Sequence, residues 1–416
     1  MRMKIAFFSD CYLDLTGGII TSINSQKEEL EKLGHEVVIF STAYPKTKEE
    51  LEVLAGKKIY VVPSCKYLIR GATPVSRRPK IIEKWLEKYH PEIKDFDIYY
   101  IHYESGCSIA GIRLGKKYKI PTVQVMHGRE DSGEAVLIPY GFRTIVARAL
   151  NWFHSLYLPH SVNISPDEYL ATTIARAKMW TLMVNHANAA DYVITPSEHM
   201  KKKLQHYGVV RKIIVFPNGL ADRSYPKNPP EKVLEEGHEL RMIWHSRVSA
   251  EKRIMVLLKA LRMVTGKYRL DVYGGGTDLK KAKRYVKRHH LNVYLHGNTP
   301  FDKVQEAVKK AHLDTLVSYN FDNHPLTLVE AEANGIPVLI CDKDMAGLMP
   351  KDSFVLAKDE TSESIAEALN KLLEDPDKIR RMSRVILNRR EETKISNYIN
   401  SLVENFEDFL KKINLQ

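Results

Sequence analysis

The sequence has few cysteines, no long apolar segment and no excess of acidic residues. The four cysteines are scattered without the spacing of a metal site, at Cys11, Cys65, Cys107 and Cys341. This pattern excludes a disulfide scaffold and is typical of a reducing cytosol. The apolar run near the N-terminus is broken by Asp10, which leaves it too short for a signal peptide. No stretch approaches the ~20 uninterrupted apolar residues of a membrane span, so we expect a cytoplasmic protein.

The net charge of +12 lies mostly in the first half of the 416-residue chain. A chain of this length exceeds one ordinary core and suits two domains. Anionic lipid, nucleic acid or a phosphorylated substrate could each explain the basic excess. A solvated, lysine-rich surface explains a charge excess alone more simply, so the charge by itself selects no partner.

Short apolar runs alternate with helical patterns along the chain, which predicts parallel α/β architecture. Predicted strands of the first half lie at residues 4–9, 37–41, 59–62, 98–102, 122–126, 191–195 and 213–217. A polar linker follows at residues 222–236. Predicted strands of the second half lie at residues 240–245, 269–273, 294–297, 313–318 and 336–340. The sequence therefore predicts two Rossmann-like, doubly wound domains.

Residues 318–342 form the most informative stretch. A polar loop at residues 320–325 leads into a predicted helix that carries Glu330 and stops at Gly335. Seven residues separate Asp322 in the loop from Glu330 in the helix. Because the N–H groups at a helix N-terminus favour an anion, this pattern predicts a site for a phosphate.

A second anion-binding pattern opens the second half. The predicted strand at residues 240–245 feeds a basic loop with Arg247 and Lys252, and a predicted helix follows at residues 254–264. Ordinary surface charges are the alternative interpretation. A strand, a basic loop and a helix start in succession favour an anion site.

Two features of the first half also follow predicted strands. Gly17-Gly18 stands between the first strand and the predicted helix at residues 19–33. The pair is either a tight turn or a place where the backbone approaches a ligand, and it lacks the G-x-G-x-x-G pattern of a dinucleotide site. His127 follows the strand at residues 122–126, at the end where parallel sheets bind ligands.

At these residues the sequence resembles the retaining family-4 glycosyltransferases of the GT-B fold. Their signature is an acid, seven residues, a Glu and then A-x-A-x-G-x-P-V. The run from Asp322 to Val338 matches it, with Asp in place of the usual first Glu. The family also shows Gly-Arg-Leu-Ser-x-Glu-Lys where this chain has residues 246–252, with Ser246 in place of Gly. The resemblance is specific in the second half and loose in the first.

The resemblance implies a role for each of these side chains. Glu330 would bind the ribose hydroxyls of the donor nucleotide, and Asp322, one methylene shorter than Glu, would contact the donor sugar. Arg247 and Lys252 would clamp the donor diphosphate, and His127 would face the sugar and the acceptor. The other donor-binding residues implied are Gly17, Gly18, Asn323, His324, Pro325, Leu326 and Thr327.

The implied activity is retaining transfer of a hexose from a nucleotide sugar, UDP-linked by family frequency, to an acceptor hydroxyl. No metal or other cofactor and no nucleic acid are expected. Residues 1–220 would form the acceptor domain and residues 221–395 the donor domain, facing a cleft, with residues 396–416 as a helix returning to the first domain. The alternatives are a sugar-nucleotide epimerase or phosphorylase of the same fold, or a basic nucleic-acid- or membrane-binding protein with a degenerate site.

Two D-x-D triplets, at residues 95–97 and 342–344, spell a motif that holds a divalent ion in another glycosyltransferase fold. Neither has that setting here, and such triplets are common by chance. We therefore interpret both as structural.

Two segments of the first half bear on the acceptor. The predicted helix at residues 76–88 is basic and carries Trp85, and residues 137–159 are aromatic with interspersed arginines. Both suit an anionic membrane surface. A solvated face explains the first segment equally well, and burial in a core explains the second slightly better. We favour a lipid acceptor, met at the membrane surface, over the alternatives of a cell-wall polymer, a protein or a soluble sugar.

Overall fold

The computed structural model describes residues 2–10, 17–65, 76–129 and 140–414. The chain divides into two compact units, one of Met1–Pro217 with Tyr398–Gln416 and one of Asn218–Asn397. Each unit contains one parallel sheet with helices between its strands. The predicted α/β class is therefore confirmed.

The sheet of the first unit has seven strands: β1 (Lys4–Ser9), β2 (Glu36–Ser41), β3 (Ile59–Val61), β4 (Ile98–His102), β5 (Thr122–Val125), β6 (Tyr192–Thr195) and β7 (Ile213–Val215). Their order is β3-β2-β1-β4-β5-β6-β7, and every neighbouring pair is parallel. The strand order reverses between β1 and β4. Doubly wound sheets bind ligands at the carboxyl ends of the strands beside this reversal.

The described helices of the first unit are α1 (Gly18–Lys32), α2 (Lys48–Gly56), α3 (Pro79–Tyr89), α4 (Gly106–Tyr118), α5 (Arg143–Ser155), α6 (Ile174–Ala189) and α7 (Glu198–His206). Helices cover the strands, so β4 and β5 are buried along their whole length. Phe8, Tyr99 and Ile101 form part of the core between the sheet and α3 and α4. Trp180 on α6 is fully buried in a second cluster.

The sheet of the second unit has six strands: β8 (Leu240–His245), β9 (Tyr268–Tyr273), β10 (Val293–Gly297), β11 (Leu313–Leu316), β12 (Val338–Ile340) and β13 (Phe354–Leu356). Their order is β10-β9-β8-β11-β12-β13, again with parallel neighbours. The reversal lies between β8 and β11. The loops after these two strands are therefore the expected ligand-binding edge.

The helices of the second unit are α8 (Ile254–Leu261), α9 (Leu279–His289), α10 (Phe301–Lys310), α11 (Leu326–Ala333), α12 (Lys343–Ala346), α13 (Ser362–Glu374) and α14 (Asp377–Arg389). Helix α11 ends where the sequence predicts, because Gly335 adopts a left-handed φ of 68° just beyond it. A Cβ at Gly335 would also lie only 2.6 Å from a methyl carbon of Leu387.

The last helix, α15 (Ile395–Asn414), begins in the second unit and belongs to the first unit from Tyr398 onward. Its Phe406 and Phe409 are fully buried. The Phe406 ring lies edge-on to Tyr100 of β4, with centroids 5.4 Å apart, and the Phe409 ring stacks on Tyr192 of β6. The chain end thus packs on the first sheet through aromatic side chains.

Some helices are shorter than the sequence predicts. The predicted helix at residues 76–88 begins at Pro79, which occupies its first turn. Helix α6 begins only at Ile174, because Asp167 Oδ1 accepts hydrogen bonds from the backbone N–H groups of Tyr169, Leu170 and Ala171 and holds them in a turn.

Candidate active site

Lys252 and Asp322 form a nearly buried ion pair in the second unit. Lys252 ends the short 3-10 turn after β8, and Asp322 lies in the loop between β11 and α11. Lys252 Nζ is 2.6 Å from Asp322 Oδ1 and 5.2 Å from the centroid of the Phe321 ring. Ser318 Oγ donates a hydrogen bond to the other oxygen of Asp322. The fold thus brings together two residues expected to contact different parts of a donor.

Glu330 belongs to a buried chain of charged groups. Its Oε2 lies 3.1 Å from His245 Nδ1 and accepts a 3.2 Å hydrogen bond from Gln305 Nε2. On the other side of the ring, His245 Nε2 is 2.7 Å from Asp314 Oδ2. His245 ends β8, Asp314 lies in β11 and Gln305 lies on α10, so four elements of the unit converge on this cluster.

The charge of His245 follows from these contacts. Burial lowers the pKa of the imidazole, but Asp314 and Glu330 outweigh burial and raise the pKa to about 10. Nε2 then donates a hydrogen bond to Asp314, and Nδ1 forms an ion pair with Glu330. At neutral pH the cluster therefore contains an imidazolium between two carboxylates.

Arg247 stands apart from Asp322 and Glu330. Its side chain is 67% exposed, and Nη2 lies 3.3 Å from Glu251 Oε1. Glu251 is only 6% exposed, and its Oε1 also accepts a hydrogen bond from Ser249 Oγ, so the carboxylate keeps a partner if the exposed guanidinium turns to a ligand. Among the described residues, the structure shows no ion pair between Arg247 and either predicted acid.

A glycine turn supports the loop that carries Arg247. Gly274 and Gly276 follow β9, and Val248 N donates a 2.8 Å hydrogen bond to Gly275 O. A Cβ at Gly274 would lie 2.2 Å from the carbonyl oxygen of Ser246, and one at Gly276 would lie 2.3 Å from that of Val248. No side chain fits there, so the glycines fix the backbone of the basic loop.

The N-terminus of α11 presents the residues predicted to bind the donor backbone. Pro325 is the N-cap, and the N–H groups of Leu326 and Thr327 lie in the first turn, where an α-helix leaves such donors without helical acceptors. The hydroxyl of Thr327 is buried and has no hydrogen-bond partner in the described part of the chain. Asn323 is buried just before this turn, and Asn218 Nδ2 donates to His324 O at 2.8 Å. The geometry suits an anion at the helix start.

The remaining predicted residues belong to the first unit. Gly17 is the N-cap of α1 and Gly18 begins that helix. A Cβ at Gly17 would meet no atom of the described ranges, which omit residues 11–16, within 4 Å. His127 follows β5, and its Nε2 lies 2.9 Å from Nδ1 of His102 at the end of β4. Burial lowers the pKa of both imidazoles. They are therefore neutral near pH 7, and one donates to the other.

Sequence reasoning missed His245, Asp314 and Gln305. A charged residue inside a predicted buried strand, as Asp314 is, was the available signal that a partner must exist. Nothing in the spacing identified His245 as that partner, because the two residues lie in different strands. His102 was not predicted either, because its partner His127 follows a different strand.

The two D-x-D triplets have structural partners. Asp97 accepts a 2.6 Å hydrogen bond from Lys4 N. Asp342 caps α12 through Asp344 N and also accepts a 2.7 Å bond from Asn320 N. Within the described ranges, no group of three or more His, Cys, Asp or Glu side chains is arranged to hold a metal ion.

Helix α5 exposes large apolar side chains. Ile145, Trp152 and Leu156 are each more than half exposed and lie on one side of the helix, and Phe142 is exposed just before it. Arg148 is exposed between them. The sequence favoured burial slightly for this segment, whereas the structure buries only part of it; residues 137–139 lie outside the described residues. In the described part of the chain, no helix has the length and apolar character needed to span a bilayer.

The whole chain superposes on known GT-B structures. One is HepE of Anabaena, solved in complex with UDP, with a TM-score of 0.68 at 15% identity over 98% of this chain and 100% of that one. Together with the two parallel sheets, this likeness confirms the predicted GT-B fold.

Sequence comparison then assigns the family. Residues 16–222 match the family described as Glycosyltransferase Family 4, and residues 228–389 match Glycosyl transferases group 1. The chain belongs to this family of glycosyltransferases, as its sequence motifs indicate.

Two curated relatives extend over most of the chain. Alpha-monoglucosyldiacylglycerol synthase of Streptococcus pneumoniae is 24% identical over 81% of this chain and 70% of its own length. The enzyme of the same name from Acholeplasma laidlawii is 21% identical over 84% of this chain and 83% of its own.

Proposed function

We propose that this protein is a retaining hexosyltransferase that moves a sugar, with UDP-glucose as the first candidate donor, to a hydroxyl group of a membrane lipid. The observation that carries the proposal is the arrangement on the second sheet. Asp322, paired with Lys252, precedes the start of α11 by four residues, and the buried Glu330 lies one turn after it, so the first N–H groups of the helix stand between the two acids in the chain. This combination offers a cation, carboxylates and helix N–H donors to a nucleotide sugar.

Each group has a separate task in this proposal. One carboxylate oxygen of Glu330 accepts the ribose hydroxyls, and Lys252, Arg247 and the first N–H groups of α11 hold the diphosphate. Asp322 contacts the donor sugar while it remains paired with Lys252. We also propose that His127 contacts the donor sugar and that the Gly17-Gly18 turn contacts the diphosphate. Residues 221–395 thus bind the donor, and residues 1–220 bind the acceptor.

The chemistry needs no strong side-chain base. The bond between the anomeric carbon and the diphosphate oxygen breaks while the acceptor oxygen bonds to that carbon from the same face. Negative charge develops on the diphosphate as this bond breaks, and the departing phosphate oxygen takes the proton of the acceptor hydroxyl. Lys252 and the helix N–H groups are preorganised to stabilise that charge, which allows the reaction to proceed without a metal ion.

The lipid acceptor is supported by the relatives and by α5. Both relatives are named as synthases of an α-glucosylated diacylglycerol. The exposed Ile145, Trp152 and Leu156 with Arg148 give α5 the amphipathic surface that lies in an anionic membrane interface. We place the protein in the cytoplasm, in peripheral contact with the inner face of the membrane.

Donor binding gives the direct test. Titration calorimetry should detect UDP-glucose or UDP binding to the native chain, and Glu330→Ala should weaken it at least tenfold, since it removes a charged acceptor. GDP-glucose in the same titration tests the nucleotide. No heat with any of these nucleotides would reject the proposal.

A turnover assay tests the lipid acceptor, the retention of configuration and the independence from metal ions. Incubation with diacylglycerol vesicles should yield an α-linked glycolipid by proton NMR, at a rate unchanged by EDTA. A β-linked product would reject retention, and inhibition reversed by a divalent ion would reject metal independence. Conversion of the nucleotide sugar without an acceptor would favour the epimerase alternative.

A further inference from the structure

We propose that His245 is a positioning residue: it holds one oxygen of the Glu330 carboxylate so that the other oxygen is presented to the ribose hydroxyls of the donor. The inference rests on the proposed function, because it assumes that Glu330 binds the nucleotide.

The two oxygens of Glu330 have different surroundings. Oε2 receives both protein contacts, from His245 Nδ1 at 3.1 Å and from Gln305 Nε2 at 3.2 Å. Among the described residues, Oε1 has no hydrogen-bond partner, and it is not one of the fully buried polar atoms. The carboxylate therefore has one occupied edge and one open edge. A vicinal diol needs such an open, ionised acceptor.

A second residue, Asp314, fixes the orientation of the His245 ring. The His245 side chain is 4% exposed, and its Nε2 lies 2.7 Å from Asp314 Oδ2. The other oxygen of Asp314 accepts a 2.6 Å bond from Thr315 N within the same strand. Since both ring nitrogens are occupied, the imidazole cannot rotate without losing an ionic hydrogen bond. The contact with Asp314 on β11 therefore fixes the imidazole in the orientation in which Nδ1 contacts Glu330 on α11.

His245 also supplies the cation between the two carboxylates. The charged groups that contact it are Asp314 from β11 and Glu330 from α11; α10 adds the neutral Gln305, and β9 places Tyr273 opposite it. Without the imidazolium, two carboxylates would share a buried space with no positive charge. One of them would then hold a proton as the pH falls. A protonated Glu330 accepts the diol poorly, so nucleotide affinity would become dependent on pH.

The experiment compares UDP-glucose affinity by calorimetry between pH 6 and 8.5, a range in which its diphosphate does not titrate. We expect His245→Gln to bind about tenfold more weakly than the native chain at pH 6, because Glu330 is then partly protonated, and to approach the native affinity as rising pH ionises it. The matched control is His296→Gln. It breaks another histidine–aspartate pair of the same unit, with Asp271 at 2.7 Å, and should leave affinity unchanged at every pH.

If His245 had only a structural role, His245→Gln would lower the stability of the protein, but its affinity for UDP-glucose would not depend on pH. If folded His245→Gln binds with native affinity across the range, the inference is wrong. If His245→Gln does not fold, the affinity of Gln305→Leu for UDP-glucose tests the inference instead. Gln305→Leu removes the second bond to Oε2 while keeping the buried charges, and native affinity in it would overturn the idea of a fixed carboxylate. Failure of the native chain to bind, or binding unaffected by Glu330→Ala, would instead reject the proposed function.

Discussion

Lys252 Nζ lies 2.6 Å from Asp322 Oδ1, so each of these two residues neutralises the other before any donor arrives. A diphosphate that enters must share Lys252 with this carboxylate. The pair keeps the cation in place in a nearly buried site, where a charge has a stronger effect than in water. Preorganisation of this kind favours the transition state, in which charge grows on the diphosphate, over the ground state.

Lys252→Ala should therefore lower kcat by about 100-fold, the effect of losing one preorganised donor, with a smaller change in KM. Lys252→Arg should retain part of the activity, because it keeps the charge with a different geometry. Steady-state kinetics with UDP-glucose and a lipid acceptor measure both values. Lys351→Ala removes an exposed lysine of the same unit and serves as the control. Native kcat in Lys252→Ala would contradict this role.

The contrast between Glu330 and His245 shows how far the sequence could predict the site. Residues 326–333 and 338–340 form the predicted helix and strand, because their apolar pattern and Gly335 are local signals. The sequence also predicted Lys252 and Glu330 individually as donor ligands. It could not predict that Lys252 pairs with Asp322, or that His245 joins Glu330 to Asp314. These contacts cross from strand to strand and depend on the sheet order, which no local spacing encodes.

The charge of His245 gives the folded state a defined pH dependence. Its pKa is raised to about 10 in the fold, above the ordinary value of 6.5, so its contribution is complete below pH 6.5 and disappears as the pH approaches 10. We expect His245→Gln to lose about 3–5 kcal/mol at pH 6.5, the usual effect of removing one partner from a buried ion pair. Denaturant unfolding of both proteins should show this difference shrinking as the pH rises to 10. A constant difference would mean that the imidazole is neutral.

The exposed side chains of α5 predict membrane binding. Burying Trp152 and Ile145 in an interface should each contribute roughly 1.5–3 kcal/mol, so Trp152→Ser with Ile145→Ser should reduce vesicle binding by at least tenfold. Cosedimentation with anionic and with zwitterionic vesicles measures the effect and separates the part played by Arg148. Val210→Ser, at an 83% exposed position of the same unit, is the matched control. Equal binding of the double variant and the control would show that α5 does not contribute to membrane binding.

Glu332, two residues after Glu330 on α11, is a buried carboxyl that weakens the fold when ionised. Burial raises its pKa to about 8, while Arg389 acts in the opposite sense and Glu392 in the same sense. Oε1 has no hydrogen-bond partner among the residues that the structure describes. A raised acid pKa means that stability falls as the pH rises from the ordinary value of 4.5 towards 8. Glu332→Gln, which stays neutral, should therefore be more stable than the native chain by about 1–3 kcal/mol at pH 8.5, and by much less at pH 5. Denaturant unfolding at the two pH values measures this, and a variant less stable at pH 8.5 would show that the Arg389 charge dominates and that Glu332 is ionised in the native protein.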